Sequence, residues 1–152
     1  MIRATPINFQ KVKDNIVGIE NGIKELVLFS DMDLDTFKAD KKNYGLAEHH
    51  FRRVLEGILT IGTHFLSRLP VKTKDYQDVI TFLGEQGVIP KDFAERNRKL
   101  AGYRNRLVHM YWEVSPEELL EVIKTHLMDL KEFCRFFREV LANPAKFDLE
   151  AE

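Results

Sequence analysis

Arg104 and His109 are the two residues of this sequence whose types and spacing carry chemistry. An arginine presents a fixed fork of donors to phosphate, and a histidine can take and return a proton near neutral pH. Together they supply what metal-free cleavage of RNA needs. The 2′-hydroxyl must lose a proton, the leaving 5′-oxygen must gain one, and the crowded phosphorane between them needs cationic stabilisation. The surroundings lean the same way. From Arg96 to His109 there are five cationic side chains, Arg96, Arg98, Lys99, Arg104 and Arg106, and no acidic one. In a chain of 23 bases and 24 acids, that run predicts a local positive field suited to phosphate, with Arg98, Lys99 and Arg106 as substrate contacts. A solvated helix face is the plainer account of the same run.

Helical phase complicates the pairing. The stripe Phe93, Asn97, Leu100, Arg104, Leu107, Tyr111 alternates apolar and polar groups on a face that ought to be packed. An arginine there either pairs with a carboxylate of a neighbouring helix or opens onto a cleft, and spacing leaves both open. At ~100° per residue Arg104 and Tyr111 share a face, while His109 lies ~140° round. Arg104 must therefore reach round, or the helix must loosen near His109, or a second subunit must complete the site. A symmetric dimer, which can bring two histidines to one cleft, is the favoured expectation.

The elements that position these residues are helices. Three stripes at three- and four-residue steps run Phe9, Val12, Ile16, Ile19, Ile23, Leu26; Phe51, Leu55, Ile58, Gly62, Phe65, Leu69; and Leu120, Ile123, Leu127, Leu130, Cys134, Phe137, Leu141. Each needs cover from neighbouring helices, which predicts an all-α antiparallel bundle of four to six helices. Asp31 to Asp35 separates the first helix from the second, with a short turn near Leu34 to Phe37, and Pro70 ends the second. A shorter helix is expected from Thr73 to Gln86, closed by Gly87, and another from Pro90 to about Tyr111. Ser115-Pro116-Glu117-Glu118 reads as an N-cap, a proline at the first helical position and a capping-box glutamate. One domain over residues 1–145 and a short acidic tail over 146–152 account for all 152 residues. A lone cysteine excludes an internal disulfide, and its place in the third stripe makes it a buried structural thiol. With no 18-residue apolar run and no apolar signal segment at the N-terminus, the expectation is a soluble cytoplasmic protein without a membrane partner.

The ordered set Gly87-Val88-Ile89-Pro90, Ala101-Gly102-Tyr103-Arg104-Asn105-Arg106-Leu107-Val108-His109, Tyr111-Trp112 and a final long helix from Ser115 resembles the HepT-like toxins of the HEPN superfamily. The resemblance covers roughly residues 44 to 137. It implies a metal-independent endoribonuclease that works as a homodimer, with the motif in a cleft between subunits, and a toxin encoded beside an MntA-type nucleotidyltransferase antitoxin. Carried over by residue, Arg104 would stabilise the scissile phosphate, His109 would be the acid/base, and Asn105 would orient one or the other. Tyr111 would be the site at which the partner attaches AMP, placing negative charge and bulk where the substrate belongs. HEPN-like domains also serve as non-catalytic, nucleotide-binding subunits of nucleotidyltransferases, which is the alternative. No glycine-rich phosphate loop is present, so the chain is not itself the nucleotidyltransferase or a kinase, and no cofactor is expected. His49 and His50 point about 100° apart and do not chelate together, so no metal is expected. Tyr76 and Phe82 read as core, and Trp112 as a seal of the bundle more than a base-stacking surface. Either Arg52 or Arg53 could contact substrate, or neither.

Overall fold

The computed structural model describes residues 5–73, 75–109 and 114–151, and every regular element among them is helical. Helix α1 spans Phe9–Ser30, α2 Leu34–Ala39, α3 Lys41–Leu66, α4 Val79–Glu85, α5 Lys91–Asn97, α6 Leu100–His109 and α7 Pro116–Ala142. Short 3₁₀ turns at Tyr76–Asp78 and Pro144–Phe147 precede α4 and follow α7. The starts are set by side-chain caps, which satisfy orphan amides of the first turn. Asn8 accepts from Lys11 N at 3.0 Å, Asp33 from Thr36 N at 2.7 Å, Asp40 from Lys42 N at 2.9 Å and Ser115 from Glu118 N at 3.1 Å. Pro116 occupies the first turn of α7, as its fixed φ permits.

Helix α3 is the axis of the bundle, in contact with α1, α2, α4, α6 and α7. The expected stripes are its core: Val12, Ile16, Phe51, Leu55, Ile58, Phe65, Leu130 and Phe137 are all at most 1% exposed. Phenylalanine rings lock the layers edge to face, with Phe65 at 5.8 Å from Phe137 and Phe93 at 4.8 Å from Phe133. Phe9 and Leu141, at the ends of their stripes, and Leu127, within the third, are half-buried. Cys134 is buried in α7, and burial pushes its thiol up to about 12. No helix of the described residues is long and apolar enough to cross a membrane.

Two expected spans are revised. The helix after Pro90 is not continuous to Tyr111: it stops at Asn97, turns at Arg98 and Lys99, and restarts at Leu100. Asn97, wholly buried, donates through Nδ2 to Phe93 O at 2.9 Å and meets His126 Nδ1 of α7 through Oδ1 at 2.8 Å. A side chain bonding back to the i−4 carbonyl competes with the helical ladder and bends it. The Thr73–Gln86 span begins later, as a 3₁₀ turn whose cap is Asp75, and is helical only from Val79. Gly87 closes it as expected: at φ 76° it lets Val88 N reach Leu83 O at 2.9 Å and Gly87 N reach Gly84 O at 3.2 Å, a Schellman closure. Helix α3 ends at Leu66, ahead of Pro70. The chain after residue 145 returns to the body, with Leu149 buried and Glu150 O accepting from Ile7 N at 3.0 Å.

Candidate functional site

Helix α6 carries the site because its two faces do different work. Leu100, Ala101 and Leu107 are buried and hold the helix down. Arg104 lies between them in phase and points toward α3. Its guanidinium carbon sits 4.8 Å from the centre of the Tyr76 ring, and its Nη1 donates to Asn105 Oδ1 at 3.1 Å. Its Nε is buried without a hydrogen-bond partner, 4.0 Å from Glu56 Oε1. That is the outer limit of an ion pair, and the same carboxylate oxygen faces Arg52 Nη1 at 3.5 Å. The pairing at Arg104 is loose, because the Glu56 oxygen that faces its Nε also faces Arg52. Arg104 therefore has both of the surroundings that spacing left open, a loose carboxylate and a partly open face.

The basic run is neutralised far more than the sequence suggests. Arg96 forms a forked pair with Asp129 at 2.9 and 3.1 Å, and Arg98 meets Glu95 at 3.1 Å. Arg106 is gripped by Glu118 at 2.7 and 2.9 Å and lies 5.3 Å from the centre of the Tyr103 ring. Hydrogen bonding from Arg106 is the main cause that holds the Glu118 carboxyl below the usual range. The acids come from α5 itself and from α7, so a run acid-free in sequence is not acid-free in space. Lys99 is exposed and has no carboxylate within ion-pair distance among the described residues. Arg98, Lys99 and Arg106 nevertheless line one cleft of about 520 Å³, with Gln77, Asp78 and Tyr103.

His109 is the exposed last residue of α6, and the helix runs unbroken from Leu100 to it. No loosening therefore brings the imidazole round to Arg104 within one protomer. Asn105 stands one turn before His109 and already holds Arg104, so it links the two phases. Tyr111 and Trp112 lie outside the described residues. Arg52 is tied to Glu48 at 3.0 Å as well as to Glu56, whereas Arg53 is exposed over a groove of about 250 Å³ between α1 and α3. Two members of the Arg104 locus, Tyr76 and Glu56, are absent from the sequence reading as site residues. They stand 28 and 48 positions away from Arg104, and nothing in linear spacing signals their approach.

The fold is that of HEPN-type helical proteins. The tri-AMPylated HEPN toxin of Shewanella oneidensis, solved in complex with its MNT antitoxin, superposes with a TM-score of 0.74 at 22% identity, over 85% of this chain and 97% of that one. A chain of a toxin–antitoxin complex solved with AMP-PNP gives 0.76 at 21% identity, over 86% and 98%. The cytosolic Bacillus subtilis protein YutE, of unknown function, gives 0.76 at 23% identity, over 89% and 91%. The chain belongs to the HepT-like ribonuclease family, whose model matches residues 19–137. It is also 24% identical over 115 residues to the tRNA nuclease HepT of Aphanizomenon flos-aquae (strain 2012/KM1/D3), across 74% of this chain and 78% of that one.

Proposed function

We propose that this protein is a metal-independent endoribonuclease toxin of a toxin–antitoxin pair, restrained when an MntA-type nucleotidyltransferase attaches AMP to Tyr111. One observation carries the reading. Arg96 and Arg106 close forked carboxylate pairs, whereas Arg104, with a buried and unsatisfied Nε, has only a shared carboxylate at 4.0 Å. A guanidinium held in place by Tyr76 and Asn105 but incompletely neutralised suits an anion that arrives and leaves.

In this reading Arg104 binds the scissile phosphate and stabilises the phosphorane as charge accumulates on its oxygens. Asn105 fixes the fork through Nη1. His109 takes the 2′-hydroxyl proton and returns a proton to the departing 5′-oxygen, leaving a 2′,3′-cyclic phosphate. Because His109 and Arg104 of one helix diverge, the homodimer completes each site, with arginine from one subunit facing histidine from its partner. Lys99, which has no carboxylate partner among the described residues, guides the flanking RNA strand, while Arg98 and Arg106, tied to Glu95 and Glu118, shape the walls of the same cleft. An AMP on Tyr111, two residues beyond His109, competes for the place of the substrate phosphate. The family match and the toxin–antitoxin complexes of two of the structural relatives support the partner, and the tri-AMPylated state of the Shewanella toxin supports the modification. The Aphanizomenon relative makes transfer RNA the first substrate to try, and the compartment proposed for the reaction is the cytoplasm.

The test is growth arrest and total-RNA integrity on expression of the wild type, His109→Ala and Arg104→Ala. Arrest with cleaved RNA in the wild type alone is expected. Equal arrest from wild type and His109→Ala removes the histidine from the reaction and favours the non-catalytic nucleotide-binding subunit. In vitro, cleavage should persist in EDTA, and abolition by chelation would refute the metal-free mechanism.

A further inference from the structure

A second cavity, of about 350 Å³, opens where α1 enters the bundle beside the C-terminal half of α3. Lys11, Thr60, Thr63, His64, Arg68 and Tyr76 line it. Its charge is of one sign. Lys11 is exposed and unpaired with any carboxylate among the described residues. Arg68 donates to Pro6 O at 2.9 Å, to His64 O at 2.8 Å and to Ser67 Oγ at 3.0 Å, all neutral acceptors that leave its charge uncancelled. This is the reverse of the basic run on α5 and α6, where each arginine faces an acid. His64 reports the field. Its Nε2 accepts from Asn8 N at 3.1 Å, so the ring is neutral and Nδ1 bears the proton. Burial first, then Arg68 and Lys11, push its basicity down to about 4.

Two further facts tie the cavity to Arg104. Tyr76 lines it and also carries the Arg104 guanidinium. The buried side-chain polar atoms without hydrogen-bond partners among the described residues are Thr63 Oγ1, of this cavity, and Arg104 Nε. Unsatisfied buried groups are uncommon and mark places where a ligand can complete the bonding.

We propose that this cavity is a second phosphate subsite: Lys11 and Arg68 hold the RNA backbone phosphate neighbouring the one at Arg104, with His64 donating through Nδ1. The proposal rests on the ribonuclease reading for the identity of the strand, and the cavity itself can be tested apart from it.

The experiment uses the full-length His109→Ala protein, with and without Lys11→Gln, and with Lys13→Gln as a control at an exposed lysine of α1 outside the cavity. The probe is a short 2′-O-methyl oligoribonucleotide, followed by the His64 imidazole resonances and by affinity against salt. Saturable movement of the His64 signals is expected, with Lys11→Gln weakening binding about 5- to 10-fold and lowering the log–log salt slope by about 0.7, the value for one phosphate of a single strand. Lys11→Arg should restore both, and Lys13→Gln should change neither. In the His109-intact enzyme Lys11→Gln should raise KM and leave kcat in place, which a merely structural role for Lys11 would not do. Unmoved His64 signals, or a Lys11→Gln slope equal to that of Lys13→Gln, overturns the subsite. RNA that binds with the His64 response but is never cut by the wild type refutes the ribonuclease reading instead and leaves the subsite standing.

Discussion

Arg104 and Arg106 sit two residues apart, and their neighbours assign them opposite tasks. Arg106 clasps Glu118 in the first turn of α7 and covers Tyr103, which makes it a fastener between α6 and α7. Arg106→Gln should cost about 1 kcal/mol of stability, the scale of a partly exposed forked pair, while RNA binding falls little. Lys99, in the same cleft without a carboxylate partner among the described residues, should behave the other way. Lys99→Gln should leave the melting temperature unchanged and weaken RNA binding several-fold at low salt, the effect fading as salt rises. Melting curves and fluorescence anisotropy of the two variants decide it, and an exchange of their phenotypes would show the basic cleft to be misassigned. The sequence makes these cations look alike because it displays charge without partners. Asp129 and Glu118 stand 33 and 12 positions from the arginines they neutralise. That Arg104, Asn105 and His109 share one helix was legible, because their spacing is local.

At the scale of elements, legibility followed the same division between local and distant causes. Helix α1, the body of α3 and α7 are visible as stripes, and α7 begins where Ser115 and Pro116 predict. Gly87 closes α4 because only a residue at ease with positive φ completes that turn. The break between α5 and α6 was not legible, since Asn97, which bonds back to Phe93 O, is held in that position by His126, 29 residues later. A buried asparagine in an apolar stripe reads as a polar interruption, and the sequence does not say which partner satisfies it. The break matters because it sets the angle at which α6 leaves Phe93, and so aims Arg104 at Tyr76. Asn97→Ala removes two buried hydrogen bonds and strands the His126 ring, for a loss of about 2–3 kcal/mol. Chemical denaturation measures that loss. If the break aims the site, the folded fraction should also cut RNA at least several-fold more slowly. Normal cleavage by the folded variant would mean that Tyr76 and Asn105 hold Arg104 without help from the turn.

For the molecule as a whole, the segment that leads into α1 is bonded to α3 through a histidine that must remain uncharged, and the segment after α7 is bonded in turn to that leading segment. Asn8 N, at the start of α1, donates to His64 Nε2; Arg68, one turn beyond that histidine, holds Pro6 O; and Ile7 N is bonded to Glu150 O near the C-terminus. Protonating His64 turns its Nε2 from acceptor to donor, which opposes the Asn8 amide directly and adds a third positive charge beside Lys11 and Arg68. Burial, Arg68 and Lys11 lower its pKa from an unfolded value of 6.5 to about 4. Between those values the unfolded chain binds the proton and the folded one does not, so the unfolding free energy rises with pH. The contribution is complete above about 6.5, shrinks as pH falls through the window, and is gone below about 4. Its full size is about 3 kcal/mol. His126, lowered chiefly by its own burial, adds a contribution of the same sign below 6.5. The carboxyls of Glu118 and Asp129 are held below the usual carboxylate range, and their contribution is lost only on further acidification. Urea titrations at pH 4.5, 5.5, 6.5 and 7.5 should therefore show stability climbing through the first three and levelling after them. His64→Gln retains an acceptor for the Asn8 amide but carries no titrating proton, and it should flatten most of that climb while keeping the fold. A variant with the slope of the wild type would locate the proton elsewhere, with His126 the next group to replace.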